Sequence, residues 1–133
     1  MRMLDTKALS QFMKNVLDGK DVVLKSDEKQ KYSYVYVADA SSAIVFLLEK
    51  GKNLEAYNVA NPEIMDLKDL ADIVPSFNRK KVTFDFSKEE SLSYSKIHNA
   101  IQSILKIKAL GWNHRVSIKD GLEKTFNVLI KTI

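Results

Sequence analysis

The order in which helical and strand-like apolar periodicities alternate constrains this chain more than any other feature it has. Ala8, Leu9, Phe12, Met13, Val16 and Leu17 recur at three- and four-residue spacing, which predicts an amphipathic helix capped by Asp5 or Thr6 and stopped by Gly19. Val22, Val23 and Leu24 then predict a short strand, with Ser26-Asp27-Glu28 as the turn after it. Residues 32–37 alternate Tyr32, Tyr34 and Tyr36 with Val35 and Val37, so a buried strand with two apolar faces is expected. Asp39 is read as the cap of a helix carrying Ala43, Ile44, Phe46, Leu47 and Leu48, closed by Gly51.

The alternation continues through the second half. Residues 56–60 predict a strand stopped by Asn61-Pro62, and Asp66 caps a helix of Leu67, Leu70, Ala71, Ile73 and Val74 that ends at Pro75. Residues 82–86 alternate as a strand does. Ser103 is expected to cap a short helix running to Leu110-Gly111-Trp112. Ser117, with Asp120 as its capping-box partner, starts a last helix whose stripe is Leu122, Phe126, Leu129, Ile130 and Ile133. The expected architecture is a small mixed α/β lobe of about five helices and four short strands, too few for a closed sheet.

A chain of 133 residues fits one domain, spanning 1–133, and buries about two-thirds of its unfolded surface. It has no Cys, which excludes a disulfide scaffold, a thiolate nucleophile and Cys-ligated metal. The sequence shows no signal peptide and no membrane span, so a cytoplasmic location and no membrane partner are expected. The net charge of +4 raises nucleic acid as a ligand, but 18 of the 21 basic residues are Lys, scattered beside acids. Only Arg2, Arg79 and Arg115 offer the planar fork suited to phosphate, so no nucleic-acid partner is expected.

Two segments carry a family likeness. One is Lys29-Gln-Lys-Tyr-Ser-Tyr-Val-Tyr-Val-Ala-Asp-Ala-Ser-Ser-Ala-Ile, followed by Glu55-Ala-Tyr-Asn-Val-Ala. The other is Lys106-Ile-Lys-Ala-Leu-Gly-Trp, followed by Val116-Ser-Ile-Lys-Asp-Gly-Leu-Glu-Lys-Thr. In order and spacing, from about Thr6 to Thr125, they resemble the C-terminal, substrate-binding region of extended short-chain dehydrogenases/reductases. The resemblance is strongest to NAD-dependent epimerases and dehydratases that modify nucleotide-diphospho sugars, often for surface polysaccharides. It implies a substrate lobe without the N-terminal Rossmann domain: a fragment, the product of a truncated reading frame or a free-standing paralogue.

The family's glycine turn, which seats the cofactor pyrophosphate at a helix N-terminus, has no counterpart among glycines at 19, 51, 111 and 121. Its Tyr-x-x-x-Lys pair is also missing, because no Tyr here has Lys four residues on. The resemblance therefore implies no catalytic residue and no cofactor in this chain, NAD belonging to the full-length family.

The resemblance also assigns candidate ligand residues. Tyr32 stands where the family has an Arg for the pyrophosphate, Tyr34 where an aromatic lies near ribose and phosphate, and Asn99 where a second Arg stands. Losing two charge-assisted contacts of about 1.5–3 kcal/mol each removes roughly two to four powers of ten in phosphate affinity. Lys31 or Lys25 is expected to compensate in part, and nucleotide sugar is expected as a weak partner. The competing reading of Tyr34 is packing, and that of the whole chain is a small interaction module with no nucleotide ligand.

His98 and His114 stand too far from other donors for a metal site, and Glu89-Glu90 side chains diverge. Trp112 is read as a packing residue. The segment from Asp66 to Val74 resembles the first helix of a helix-turn-helix, but Pro75 and the strand pattern after it leave no recognition helix. A homodimer is expected, since Val35, Val37 and Val59 lie where the full-length family has a covering half.

Overall fold

Two separate apolar clusters organise the chain, and each belongs to different elements. The computed structural model describes residues 7–24, 31–84 and 99–132. The first cluster joins Phe12, Met13 and Val16 of helix α1 (Ala8–Leu17) to Val22 and Leu24 of strand β1 (Val22–Leu24). Leu70, Ala71 and Val74 of α3 (Leu67–Ser76) and Ile118, Leu122 and Phe126 of α5 (Ile118–Thr132) close it. The second cluster packs Ala43 of α2 (Val37–Lys50) against Ala60, Ile104, Trp112 and Ile107 of α4 (Leu105–Leu110).

Local chemistry sets the ends of these elements. At the end of α1 the Gly19 amide donates to the Val16 carbonyl at 3.2 Å and the Lys20 amide to that of Asn15 at 2.8 Å. This double closure needs a left-handed residue, which Gly19 supplies at φ 72° without a Cβ penalty. Helix α3 opens on a reciprocal capping box. The Asp69 amide donates to the Asp66 carboxylate at 2.9 Å, and the Asp66 amide to that of Asp69 at 3.1 Å. Helix α5 starts where the Asp120 amide donates to Ser117 Oγ at 3.1 Å.

The strands form two small sheets. Strand β1 pairs in parallel with β4 (Val82–Phe84) in the register Val22 to Val82. Strand β2 (Lys31–Ser33) lies centrally in the second sheet, antiparallel to β3 (Ile64–Asp66) and parallel to β5 (Asn99–Ala100). No helix among the described residues is long and apolar enough to cross a membrane.

Two side chains tie the clusters together. The Asp39 carboxylate, buried in the first turn of α2, accepts the amides of Arg115 (3.1 Å) and Val116 (3.0 Å) just before α5. Buried Asn61 donates through Nδ2 to the Val116 carbonyl at 2.9 Å, while its own amide donates to the Tyr34 carbonyl at 2.6 Å.

Several sequence expectations are corrected. The mixed α/β lobe with five helices holds, but the described residues contain five strands: the one expected over 56–60 is absent, and Ile64–Asp66 and Asn99–Ala100 add two too short to show periodicity. The strand expected over 32–37 ends at Ser33, and Val37 already begins α2 with its side chain largely exposed rather than buried. Asp39 is not the cap of α2: Tyr36 holds that position, and the carboxylate turns inward to amides far along the chain.

Residues 56–60 form no strand among the described residues, since a strand exists only with a neighbour to receive its hydrogen bonds. Pro75 sits within the last turn of α3 instead of ending it. Ser103 is not a cap either: α4 starts after Ile104, and the Ser103 carbonyl accepts Asn58 Nδ2 at 3.2 Å. Trp112 packs as expected, buried with its Nε1 donating to Ser42 Oγ at 3.1 Å. Asp5, Thr6, the Ser26-Asp27-Glu28 turn, residues 85–86, Glu89-Glu90, His98 and Ile133 lie outside the described residues.

Candidate functional site

Strand β2 and the chain leading to α2 carry three tyrosines at alternate positions, and these line an open groove of about 880 Å³. Tyr32, Tyr34 and Tyr36 form one side, the first turn of α1 with Leu9 another, and the Leu122 face of α5 a third. The floor is held by hydrogen bonds. Asn61 Oδ1 accepts the Glu63 amide at 2.8 Å, and Glu63 Oε2 accepts the Ile118 amide at 3.3 Å. These bonds fix the start of α5 against the tyrosine segment and leave the lining predominantly apolar.

The tyrosines are ordered by their surroundings. The Tyr32 and Tyr34 rings meet at 6.2 Å between centroids with planes tilted by 56°, a favourable offset arrangement. Burial pushes the Tyr34 hydroxyl up to about 12, and the neighbouring Tyr32 hydroxyl adds to the shift. At neutral pH Tyr34 is therefore a hydrogen-bond donor and no general base. Tyr36 lies against α5: a Cβ on Gly121 would sit 3.1 Å from Tyr36 Cδ2, so only glycine lets the ring lie there without displacement. Lys124 Nζ stands 5.9 Å from the centre of the same ring, within reach of a cation–π attraction.

The candidate residues named from sequence are partly brought together. Lys31 on β2 is the direct ladder partner of Asn99 on β5, with Tyr32 beside Ala100. Tyr32 and Tyr34 line the groove, whereas Lys31 and Asn99 sit outside its lining. Lys25 lies outside the described residues. Tyr36, Asn61 and Gly121 were missed as site residues. The two-residue tyrosine spacing pointed to Tyr36, and a glycine inside a helix signals close approach, but nothing local marks Asn61.

A second polar feature lies outside the groove lining. Lys106 pairs with Glu55 and stands 4.9 Å from the Tyr57 ring centre. The Lys106 hydrogen bond and charge hold the Glu55 carboxyl below its usual range. His114 Nδ1 is buried without a hydrogen-bond partner among the described residues, where no cluster of His, Asp and Glu is arranged for a metal.

This arrangement of helices and small sheets is the fold of part of a nucleotide-sugar epimerase. The chain superimposes with a TM-score of 0.77 on the UDP-glucose 4-epimerase of Thermotoga maritima, solved with UDP-glucose, at 25% identity. That match covers 95% of this chain and 40% of the other. The UDP-glucuronic acid 4-epimerase of Bacillus cereus, solved with NAD, gives 0.78 at 22% identity over all of this chain and 40% of its own. The NAD dependent epimerase/dehydratase family model matches residues 1–60.

Among curated proteins, GDP-L-fucose synthase 1 of Arabidopsis thaliana is 25% identical over 117 residues, 86% of this chain and 35% of the synthase. A trifunctional UDP-glucose 4,6-dehydratase/epimerase/reductase of the same plant is 28% identical over 123 residues, 91% of this chain and 18% of that protein. This chain is thus similar to proteins of the NAD-dependent epimerase/dehydratase family and spans well under half the length of these relatives.

Proposed function

We propose that this chain is the substrate-binding part of a nucleotide-diphospho-sugar epimerase or dehydratase, non-catalytic by itself. The observation that carries the reading is the meeting of β2 with β5. It brings Tyr32 and Asn99, candidate ligand positions distant in sequence, onto neighbouring strands, while Tyr34 continues from β2 into the groove. In this reading the Tyr34 hydroxyl donates to a ribose or phosphate oxygen, Tyr32 offers a ring face and a hydroxyl, and Lys31 supplies the nearby positive charge.

The residues do not fit a dinucleotide cofactor. Gly19, Gly51 and Gly111 follow helix C-termini and Gly121 lies within α5, so no glycine opens a helix after a strand to cradle a pyrophosphate. No step through NAD is derived for this chain. A second reading, a small interaction module without a nucleotide ligand, draws support from Tyr32 at the expected Arg position and from the apolar lining.

Calorimetric titration with uridine and thymidine diphosphates distinguishes the two. Under the leading reading both bind weakly, and Tyr32→Arg tightens them by about ten- to a hundredfold, the yield of one charge-assisted contact. Unchanged affinity in a folded Tyr32→Arg protein sinks the ligand assignment and leaves the interaction module.

A further inference from the structure

Asn61 carries a buried polar side chain that grips two walls of the groove at once. It is only 2% exposed, and burying an amide costs stability unless its polar atoms find partners. Both atoms do. Oδ1 accepts the Glu63 amide at 2.8 Å, and Nδ2 donates to the Val116 carbonyl at 2.9 Å. A longer contact of 3.5 Å runs from Nδ2 to Glu63 Oε1. These partners fix which way the side chain faces, since a turned amide would set Nδ2 against an N–H and Oδ1 against a carbonyl. The backbone of the same residue donates to the Tyr34 carbonyl at 2.6 Å.

We propose that Asn61 is a positioning residue, which sets the Tyr34 hydroxyl in the groove by locking the tyrosine segment to the start of α5. Tyr34 is held at two points. Its carbonyl takes the Asn61 amide, and its side chain packs against the first cluster, to which α5 contributes Ile118, Leu122 and Phe126. The Asn61 side chain joins those points through Val116, just before α5. Glu63, held by Asn61, adds a second tie at the Ile118 amide. Without the Asn61 amide group, the two anchor points of Tyr34 no longer share one frame.

The ligand side of this inference rests on the nucleotide-sugar reading above, in which the Tyr34 hydroxyl donates to a ribose or phosphate oxygen. A hydrogen bond weakens steeply once donor and acceptor leave their line, so a displaced Tyr34 lowers affinity without any contact between Asn61 and the ligand. The placing of Tyr34 itself is independent of that reading and has its own signal. Burial holds the hydroxyl at about 12, and a ring released from its seat is solvated and titrates nearer 10.0.

Two measurements on Asn61→Asp, which keeps the shape but sets an acceptor against the Val116 carbonyl, form the test. Absorbance titration, with Tyr34→Phe marking the Tyr34 step, should show that step moving from about 12 toward 10.0. Ile107→Ala, in the second cluster and outside the groove lining, controls for lost stability and should leave the step in place. In a Tyr32→Arg background, calorimetry should show Asn61→Asp weakening uridine diphosphate about tenfold, the yield of one hydrogen bond. Ile107→Ala should leave that affinity unchanged. Should Asn61→Asp not fold, Asn61→Ser, whose hydroxyl is too short to span Glu63 and Val116, carries the same expectations. The positioning role is overturned by an unmoved Tyr34 step, by an equal move in Ile107→Ala, or by diphosphate affinity that Asn61→Asp leaves intact. Failure of both Asn61 variants to fold overturns it too, since Asn61 then serves folding alone. A step that moves as expected while Tyr32→Arg binds no diphosphate upholds the positioning of Tyr34 and sinks only the ligand reading.

Discussion

The two apolar clusters differ in how far each one satisfies itself. The first takes eleven buried residues from α1, β1, α3 and α5, with Met13, Val16, Val22, Leu70 and Val74 wholly enclosed. The second has five, two of them alanines, and its main helix leaves its opposite face uncovered. Alanine brings little area to a core, and hydrophobic stabilisation grows with the area removed from water. The first cluster therefore holds the lobe together. The second is a layer that depends on its attachment to the first.

Substitutions within each cluster test this asymmetry in urea melts. Leu70→Ala, in the dense cluster, should cost about 4 kcal/mol, since well-supported surroundings cannot collapse into the cavity. Asp39→Ala removes the acceptor for two amides at the junction between the clusters and should cost about 3 kcal/mol, with Asp39→Asn recovering part of it. Ile107→Ala, in the thin cluster, should fall near the lower end of its class at about 2 kcal/mol. A larger loss there than for Leu70→Ala breaks the comparison. Trp112→Phe keeps the packing and forfeits one hydrogen bond to Ser42, so about 1 kcal/mol is expected.

The smallest effect is expected at Tyr34, where the groove meets the first cluster. Its folded value near 12 exceeds the unfolded value of 10.0, so the protein holds a proton there that the unfolded chain releases. Stability from this group is fully present below pH 10 and declines as pH rises toward 12. Absorbance titration of Tyr34→Phe should lack the last phenolate to form. Amplitude lost near pH 10 instead of near 12 would place Tyr34 in an ordinary solvated setting.

Legibility in the sequence followed the same division. The elements of the first cluster showed themselves because each has its own apolar stripe and its own end signal: Gly19 after α1, Asp66 before α3, Ser117 before α5. Around the second cluster the local signals misled. Residues 56–60 have strand composition without a strand neighbour among the described residues. Asp39 looks like a cap but answers to amides 76 and 77 residues away.

The groove was half visible. Alternate tyrosines and the family likeness marked Tyr32 and Tyr34, and the likeness alone marked Asn99. The Asn61–Val116 bond and the Tyr36–Gly121 contact, by contrast, join segments that only the folded chain brings together.

The Asp39 clasp also has a mechanical consequence. It closes a loop from residue 39 to residues 115 and 116, and both chain ends lie outside that loop. A molecule stretched between its ends would first shed α1 and α5, while the clasp shields everything threaded inside from the load. When the carboxylate gives way, roughly 250 Å of stored contour length becomes available in one step. The second cluster, thin as it is, would feel no tension until then.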